Sequence, residues 1–497
     1  MPARAEDAVV SVDGAGRLVY AADEHGNQIP DFSNCGYKGG GVALPDVDVV
    51  EVLLAQESGD DTRRIQSAIN HVAALPEDED GFRGTILLKH GKYRMSGSIH
   101  IRSSGIILRG EGQGEDGTIL VATGKGKRTL IEIEGKRGIE VLEEARTEIL
   151  DDYVPVGARS FQVASADAFA EGDEIIVHRP SAAEWIHAIG MDRIEVKDEK
   201  TRQWEPGQYD LRFRREIVTI EGDRLTLDAP MVRAIEADFG GGSVTRYRDP
   251  GRIERVGVEH LRGVSEFDDS ISDRRREGEY ADEDHGWNLI TINNARDGWV
   301  GNVTSVHFGY SCVYLQAGAH RFTVQDSECL DPVSQVTGSR RYSFAIAGQM
   351  NLVQRCRTRR GRHDYVLHAR AAGPNAFVDC VAEQAFSDSG PHHRWSVGTL
   401  FDNVRVEGNA INVQDRQSSG TGHGWAGAMK VLWNCEAESI VCQKPPTSQN
   451  YAIGCVAEKK SGWHDREDGH WESHGSHVKP RSLYLSQLRD RLGEGSG

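Results

Sequence analysis

Apolar and polar positions along the chain follow two rhythms. From Gly59, the segment GDDTRRIQSAINHVAAL sets Ile65, Ala68, Ile69 and Val72 at helical spacing, with Asp60 or Asp61 in front as a cap. The next stretch, GTILLKHGKYRMSGSIHIRSSGIILRGEGQG (84–114), has short β-rich runs broken at Gly91, Gly97, Gly105 and Gly110. This is the punctuation of short strands and turns. Helical periodicity is scarce over 285–460, where runs of β-branched and small residues recur between Gly, Asn, Asp and Pro. HVKPRSLYLSQLRDRLG (477–493) returns to helical spacing, with Leu483, Leu485, Leu488 and Leu492 as its apolar set. It predicts a short helix that packs back on the body or caps its end.

The β-rich part repeats. Cys329 (DSEC), Cys356 (VQRC), Cys380 (VDCVAE), Cys435 (LWNCEAE) and Cys455 (AIGCVAE) share a local context, and Asn302 (WVGNV) and Asn403 (LFDNVRVE) stand in the same frame. Successive spacings of 27, 27, 24, 23, 32 and 20 residues fall in the solenoid range. A short strand per coil with a small residue stacked at one place describes a parallel β-helix. Buried Cys acts there as a small hydrophobe, and a stacked Asn can bond along its ladder. The predicted helix before the first strands would cap the open end, whose exposed edge otherwise invites aggregation.

Residues 143–250 break the repeat. YVPVGARSFQVASADAFAEGDEIIVHRP (153–180) and IVTIEGDRLTLDAP (217–230) read as close strands with a GD hairpin turn, a small inserted β subdomain. Its Trp185, His187 and Trp204 could overhang a groove or serve packing. The chain then divides into a cap and first coils (1–142), the insertion (143–250), the main coils with the groove (251–460) and a C-terminal loop and helix (461–497). SEFDDSISDRRREGEYADEDH (265–285) reads as a charged, solvated loop.

Composition narrows the function classes. With 58 Lys+Arg against 76 Asp+Glu in 497 residues, the formal charge is −18. Duplex nucleic acid needs a basic footprint, so it is excluded as a general partner. No run approaches the roughly 18 apolar residues of a membrane span. Glycine, at 56 residues, exceeds the usual share of about 7% without a collagen period. Residues 1–20 lack the continuous apolar run of a secretory leader, which leaves either a cytoplasmic protein or one whose leader has been removed, and the GEGSG tail is either native or an added remnant.

The stretches DFSNCGYKGGG (31–41), GDDTRRIQSAI (59–69) and GKYRMSGSIHIRSSGIILRGEG (91–112) resemble the pectate-lyase-like superfamily of right-handed parallel β-helices. With the later ladder the resemblance spans about three quarters of the chain. It implies an all-β fold, a single-stranded right-handed parallel β-helix with an N-terminal capping helix and the inserted β subdomain. It also implies a carbohydrate-active protein, secreted or periplasmic. The superfamily holds polysaccharide lyases, glycoside hydrolases and phage tailspikes, so the fold does not choose the reaction.

Charge reverses sign between Ser339 and Arg370. That window holds Arg340, Arg341, Arg355, Arg357, Arg359, Arg360, Arg362 and Arg370 against one acid, Asp364. Coils stack about 4.8 Å apart, so these arginines form a patch. It would either grip an acidic polysaccharide or oligosaccharide through guanidinium forks or pair with acids such as Glu328, Asp331, Asp379 and Glu383. Three nearby segments add His363, Tyr365 and His368; Asp388, His392, His393, Arg394 and Trp395; and Asp415, Arg416, His423, Trp425 and Lys430.

The leading expectation is β-elimination on a uronic-acid glycan. Arg362 and Arg394 would neutralise the carboxylate, His363 or His393 would be the base, and Tyr365 or His423 the acid. Arg360, His368, Asp388, His392, Trp395, Asp415, Arg416, Trp425 and Lys430 would bind substrate, with the two tryptophans stacked on sugar faces. Gly420, Gly422, Gly424 and Gly427 would let the ligand approach the backbone. No cofactor is assigned, and a His-Asp transition-metal site or a Ca²⁺ bridging a substrate carboxylate both stay open. In a strand, His392 and His393 would face opposite ways, unfit for one metal. A glycoside hydrolase would need a carboxylate pair from Asp364, Asp388, Asp402 and Asp415. The third alternative is a non-catalytic, tailspike-like glycan-binding module. Monomer or homo-oligomer is left open.

Overall fold

The computed structural model describes residues 8–493. Residues 1–7 and the last four of the GEGSG tail lie outside them. Three parallel ladders wind the chain into a right-handed β-helix. The first ladder stacks Ile99–Ile101, Arg128–Glu134, Gly286–Asn293, Ser311–Leu315, Phe344–Ile346, Tyr365–Leu367 and Gly390–Pro391. The second includes Ala319–Gln325, Leu352–Gln354, Asn375–Val378, Ser396–Asp402, Gly427–Trp433 and Tyr451–Ile453. The third includes Glu328–Leu330, Arg357–Arg359, Val381–Glu383, Arg405–Val413 and Glu436–Cys442. Inward positions build one apolar core along the axis, from Ile86 and Leu108 to Ile440 and Ala452. No helix among the described residues is long and apolar enough to cross a membrane.

The helix Thr62–Ala73 buries Ile65, Ala68, Ile69 and Val72 against the first coils. Its start is fastened by Asp60 and Asp61 to the next coil. Asp60 Oδ1 accepts from the amides of Thr62 (3.3 Å) and Ser96 (2.9 Å), and Asp61 Oδ2 from the amide of Arg94 (3.1 Å).

The repeat has a shifted register. At the corner between the second and third ladders, Asn302, Asp326, Arg355, Asp379, Asn403, Asn434 and Gly454 all take left-handed backbone, with φ from 50° to 66°. Asn, Asp and Gly tolerate that region best. The residue after each leads into the next ladder, giving the column Val303, Ser327, Cys356, Cys380, Val404, Cys435 and Cys455. Backbone bonds such as Val381 N to Cys356 O (3.0 Å) and Val456 N to Cys435 O (2.9 Å) join its coils. Asn302 and Asn403 therefore turn the corner instead of replacing cysteine. Cys329 sits two places on, beside Thr358. The asparagine ladder lies at another corner. There Asn375 Oδ1 accepts from Asn351 N (3.0 Å) and Asn450 Oδ1 from Lys430 N (2.9 Å).

The insertion forms a six-stranded antiparallel sheet, in which Leu211–Glu221 and Arg224–Leu227 are the hairpin across Gly222 and Asp223. Its core is continuous with the outer face of the solenoid, where Trp185, Trp204, Met191 and Phe213 pack with Trp395, Val397, Trp425 and Ala428. The C-terminal helix Leu483–Leu492 lies along the solenoid flank, turned from the expected face. Leu483, Tyr484 and Gln487 are buried, while Leu485 and Leu492 are 45% and 44% exposed. Polar anchoring sets this rotation, since Tyr484 donates to Cys35 O (2.8 Å) and Gln487 Oε1 accepts from Phe32 N (2.9 Å).

Candidate functional site

Strand alternation along the first ladder sends Phe344, Ile346, Tyr365 and Leu367 into the core, leaving Ala345 and Val366 as a small-residue floor outside. Side chains just before these strands form one wall, and side chains just after them the other. Tyr310, Tyr342 and His363 stand on the first wall, and His368, His392 and His393 on the second. His423 arrives from the loop at 414–425. The rings form a continuous cluster. Centroids are 5.1 Å apart for Tyr342 and His363, 4.6 Å for His363 and His392, 5.3 Å for His392 and His423, and 5.1 Å for His393 and His423. Tyr314 stacks on His368 at 4.8 Å. Because the strand ends at Pro391, the His392 and His393 rings both reach the cluster, 5.2 Å apart. The opposite-face rule for strands does not apply to them.

Hydrogen bonds select the tautomers. His363 Nδ1 is 2.6 Å from the Asp388 carbonyl oxygen. A carbonyl only accepts, so Nδ1 carries the proton and the unpartnered Nε2 holds a lone pair. His392 Nδ1 faces Arg416 Nη1 at 2.9 Å, and guanidinium only donates. Nδ1 is thus the acceptor, and Nε2–H donates to the Tyr342 hydroxyl at 3.1 Å, leaving that hydroxyl its own proton to give. Arg362 lies beside the same hydroxyl and counters the burial that raises its pKa.

Burial keeps the imidazoles neutral. It lowers His363 and His368 to about 4, His423 to about 3 and His393 to about 2. It lowers His392 as well, assisted by His363 and Arg416. Arg362, Arg394 and Arg416 surround them. Arg416 donates to the His392 carbonyl (2.7 Å) and lies 5.2 Å over the Trp463 ring. Arg394 donates to Thr421 Oγ1 at 2.6 Å. Among the described residues none of these three guanidiniums has an ion-pair partner, and each keeps a buried N–H without an acceptor. Asp388, half-buried beside His363, is the one carboxylate from the hydrolase set at this place.

Several expected residues lie elsewhere. Tyr365 is in the core, its hydroxyl donating to the carbonyls of Cys356 and Val381 at 2.8 Å each. Trp395 and Trp425 are 0% and 1% exposed, clamped by the insertion's Trp185 and Met191, so they offer sugar no face. Lys430 is buried in the asparagine column, its Nζ donating to Thr399 Oγ1 (2.9 Å), and desolvation pulls its pKa far down. Asp415 is buried, accepting from Gln417 N (3.0 Å) and Arg466 Nη2 (2.8 Å). Asp364 is raised to about 6 by burial under Ser343, and Asp402 to about 7 by burial at the C-terminal helix start. Gly422 meets the Arg202 backbone and Gly424 meets Trp204, so these glycines admit the insertion instead of a ligand.

The other arginines of the window are tied up. Arg340 and Arg341 pair with Glu283 and Glu279 of the charged loop, and Arg360 shares Glu279. Arg355, Arg357 and Arg359 pair with Asp326, Glu383 and Asp331. Arg370 donates to Gln208 O (2.7 Å). The loop at 265–285 is therefore a counter-charge, with Glu279 only 7% exposed. Tyr310, Tyr314 and Tyr342 escaped the sequence reading. The recurring Tyr-Ser pair ahead of each strand, Tyr310-Ser311 and Tyr342-Ser343, is the signal that marks two of them. Among the described residues no group of three or more His, Cys, Asp or Glu side chains is arranged to hold a metal.

No protein-family profile matches the sequence, and no curated protein sequence matches it. Solved structures do. The ORF18 protein of Geobacillus virus E2 aligns over 84% of this chain and 57% of its own, with TM-score 0.42 and 10% identity. This chain thus spans little more than half of that protein. An alginate lyase from Paenibacillus sp. str. FPU-7 aligns over 86% and 99% (TM-score 0.41, 9% identity). A polygalacturonase from Erwinia carotovora ssp. carotovora aligns over 88% and 98% (TM-score 0.38, 10% identity). The likeness is one of fold alone, at about one identical residue in ten.

Proposed function

We propose that the protein is a carbohydrate-active enzyme that cleaves a uronic-acid-containing polysaccharide by β-elimination in the histidine groove. The observation that carries this is the set of three guanidiniums that, among the described residues, have no ion-pair partner around neutral imidazoles, in a chain of charge −18. A substrate carboxylate supplies the missing counter-charge. Its neutralisation by Arg362, Arg394 and Arg416 acidifies the C5 proton and stabilises the enolate-like anion. His363 Nε2, unpartnered at the base of the cluster in a ring only 2% exposed, takes that proton once the substrate parts the half-buried His392 and His393 above it. The electron pair forms the C4–C5 double bond as the C4–O bond breaks. The Tyr342 hydroxyl, oriented by His392, gives its proton to the departing oxygen. Tyr342 takes the role expected of Tyr365, while His393, His368 and His423 line the subsite.

A polymer too large to enter a cell suits a secreted or periplasmic enzyme. The reading is tested by ultraviolet absorbance of unsaturated uronate ends across a panel of acidic glycans. Product from at least one glycan, abolished in His363→Ala, is expected. Saturated reducing ends without unsaturated product would replace the lyase reading with hydrolysis.

A further inference from the structure

A hollow of about 910 Å³ opens where the N-terminal segment, the insertion and the late coils meet. None of the groove histidines lines it, and its volume is in the range of small-molecule sites. At its floor, Arg233 is 1% exposed and donates to Glu236 Oε1 (2.9 Å) and Thr447 Oγ1 (2.9 Å), but its Nε has no partner. Ser448 Oγ beside it is also buried and unpartnered. Thr447 carries a φ of 64°. A β-branched residue adopts that region only when its surroundings force it, and such strain concentrates at ligand sites. The Tyr153 ring, 5.4 Å from that of His25, and Phe239 give flat apolar surface.

The charges set the ligand class. Lys444 is paired with Glu467 (3.0 Å), and the single carboxylate of Glu236 is shared by Arg233 (2.9 Å) and Arg179 (2.8 Å). Asp152 and Asp238 are exposed on the rim and, among the described residues, have no ionic partner. Four lining acids, Asp23, Glu24, Asp152 and Asp238, outnumber the one guanidinium charge that Glu236 leaves uncompensated at the floor. The hollow is therefore negative on balance, so a uronate is repelled and an ammonium is attracted. We propose that the hollow is a second glycan site, taking a short amino-sugar oligosaccharide. Sugar rings lie on Tyr153 and Phe239, hydroxyls meet the unpartnered floor, and ammonium groups face Asp152 and Asp238. The site is independent of the chemistry in the histidine groove.

The test is calorimetric titration of the full chain with the glucosamine trimer, its N-acetylated counterpart, trigalacturonate and trilysine. The glucosamine trimer is expected to bind at least about tenfold more tightly than the other three, a gap of one decade in Kd. Asp152→Asn/Asp238→Asn, two surface changes, is expected to weaken it by about tenfold, and raised salt to weaken it in the unaltered protein. Absence of binding by the glucosamine trimer overturns the proposal. So does equal binding of the N-acetylated trimer, binding of trilysine as tight as the sugar's, or full affinity in the double variant.

Discussion

Two sets of arginines lie within a few coils of each other and behave in opposite ways. Arg340, Arg341, Arg355, Arg357, Arg359 and Arg360 each meet a carboxylate from the charged loop or an adjacent strand. Arg362, Arg394 and Arg416 meet tyrosine, threonine and histidine instead. The first set is internally neutralised, and its positive charge does not reach a ligand. The second keeps most of its field because, among the described residues, no carboxylate lies within ion-pair distance of it, and Asp388 acts on Arg416 only from farther away. The density of arginine along a sequence therefore does not locate a binding site. The acids that the fold brings opposite each arginine decide that.

The comparison can be broken at several points, the largest effect first. His363→Ala, in the unpaired region, is expected to lower kcat/KM by about 10²–10⁴-fold without shifting the unfolding midpoint by more than a few degrees. Steady-state kinetics with thermal denaturation checks both. Glu279→Ala, in the paired region, strands the buried Arg341 and is expected to cost about 3–5 kcal/mol of stability, read by denaturant unfolding. A loss there of turnover without loss of stability would mean that the paired set also serves the chemistry.

Acid is expected to separate the regions as well. His363 and His368 hold folded values of about 4, and an unfolded histidine titrates near 6.5. Between these values the unfolded chain binds more protons, so stability falls as pH drops. The slope is about 1.4 kcal/mol per pH unit for each histidine, and it levels off below pH 4. Urea midpoints between pH 7 and 4 in the parent and His368→Gln read one histidine's share. Arg416→Ala is expected to cost about 10–100-fold in kcat/KM on a uronate glycan and far less on its methyl ester. An equal loss on both would remove its role in carboxylate recognition. Smallest of all, Arg355→Ala breaks a pair whose arginine is 47% exposed. It is expected to change stability by less than about 1 kcal/mol and activity not at all.

Local signals carried much of the fold. The capping helix was legible because its four apolar residues fall on one face. The GD hairpin was legible because strand runs flank a turn pair. The coil repeat was legible in spacing but not in register, since a one-residue shift at a left-handed corner leaves the spacings nearly unchanged. Asn302 was thus aligned with cysteines that in fact follow the turn. In the site, the histidines stood out by their density in consecutive coils. Tyr342 did not, because a tyrosine before a strand fits a core as well as a groove. The inverse error fell on Trp395 and Trp425, whose partners come from an insertion about 200 residues earlier.

What the sequence determined by itself was the periodic part. Strand length, turn residues and a capping helix follow from side-chain size and backbone preference within a few residues, and these suffice for a solenoid. Which charges are spent and which stay free was decided only by the tertiary structure. Ionic pairing and burial depend on atoms a few ångströms apart in space and dozens to hundreds of residues apart in the chain. Arg341 and Arg362 lie 21 residues apart in the sequence. One is neutralised by Glu279, and the other faces the groove.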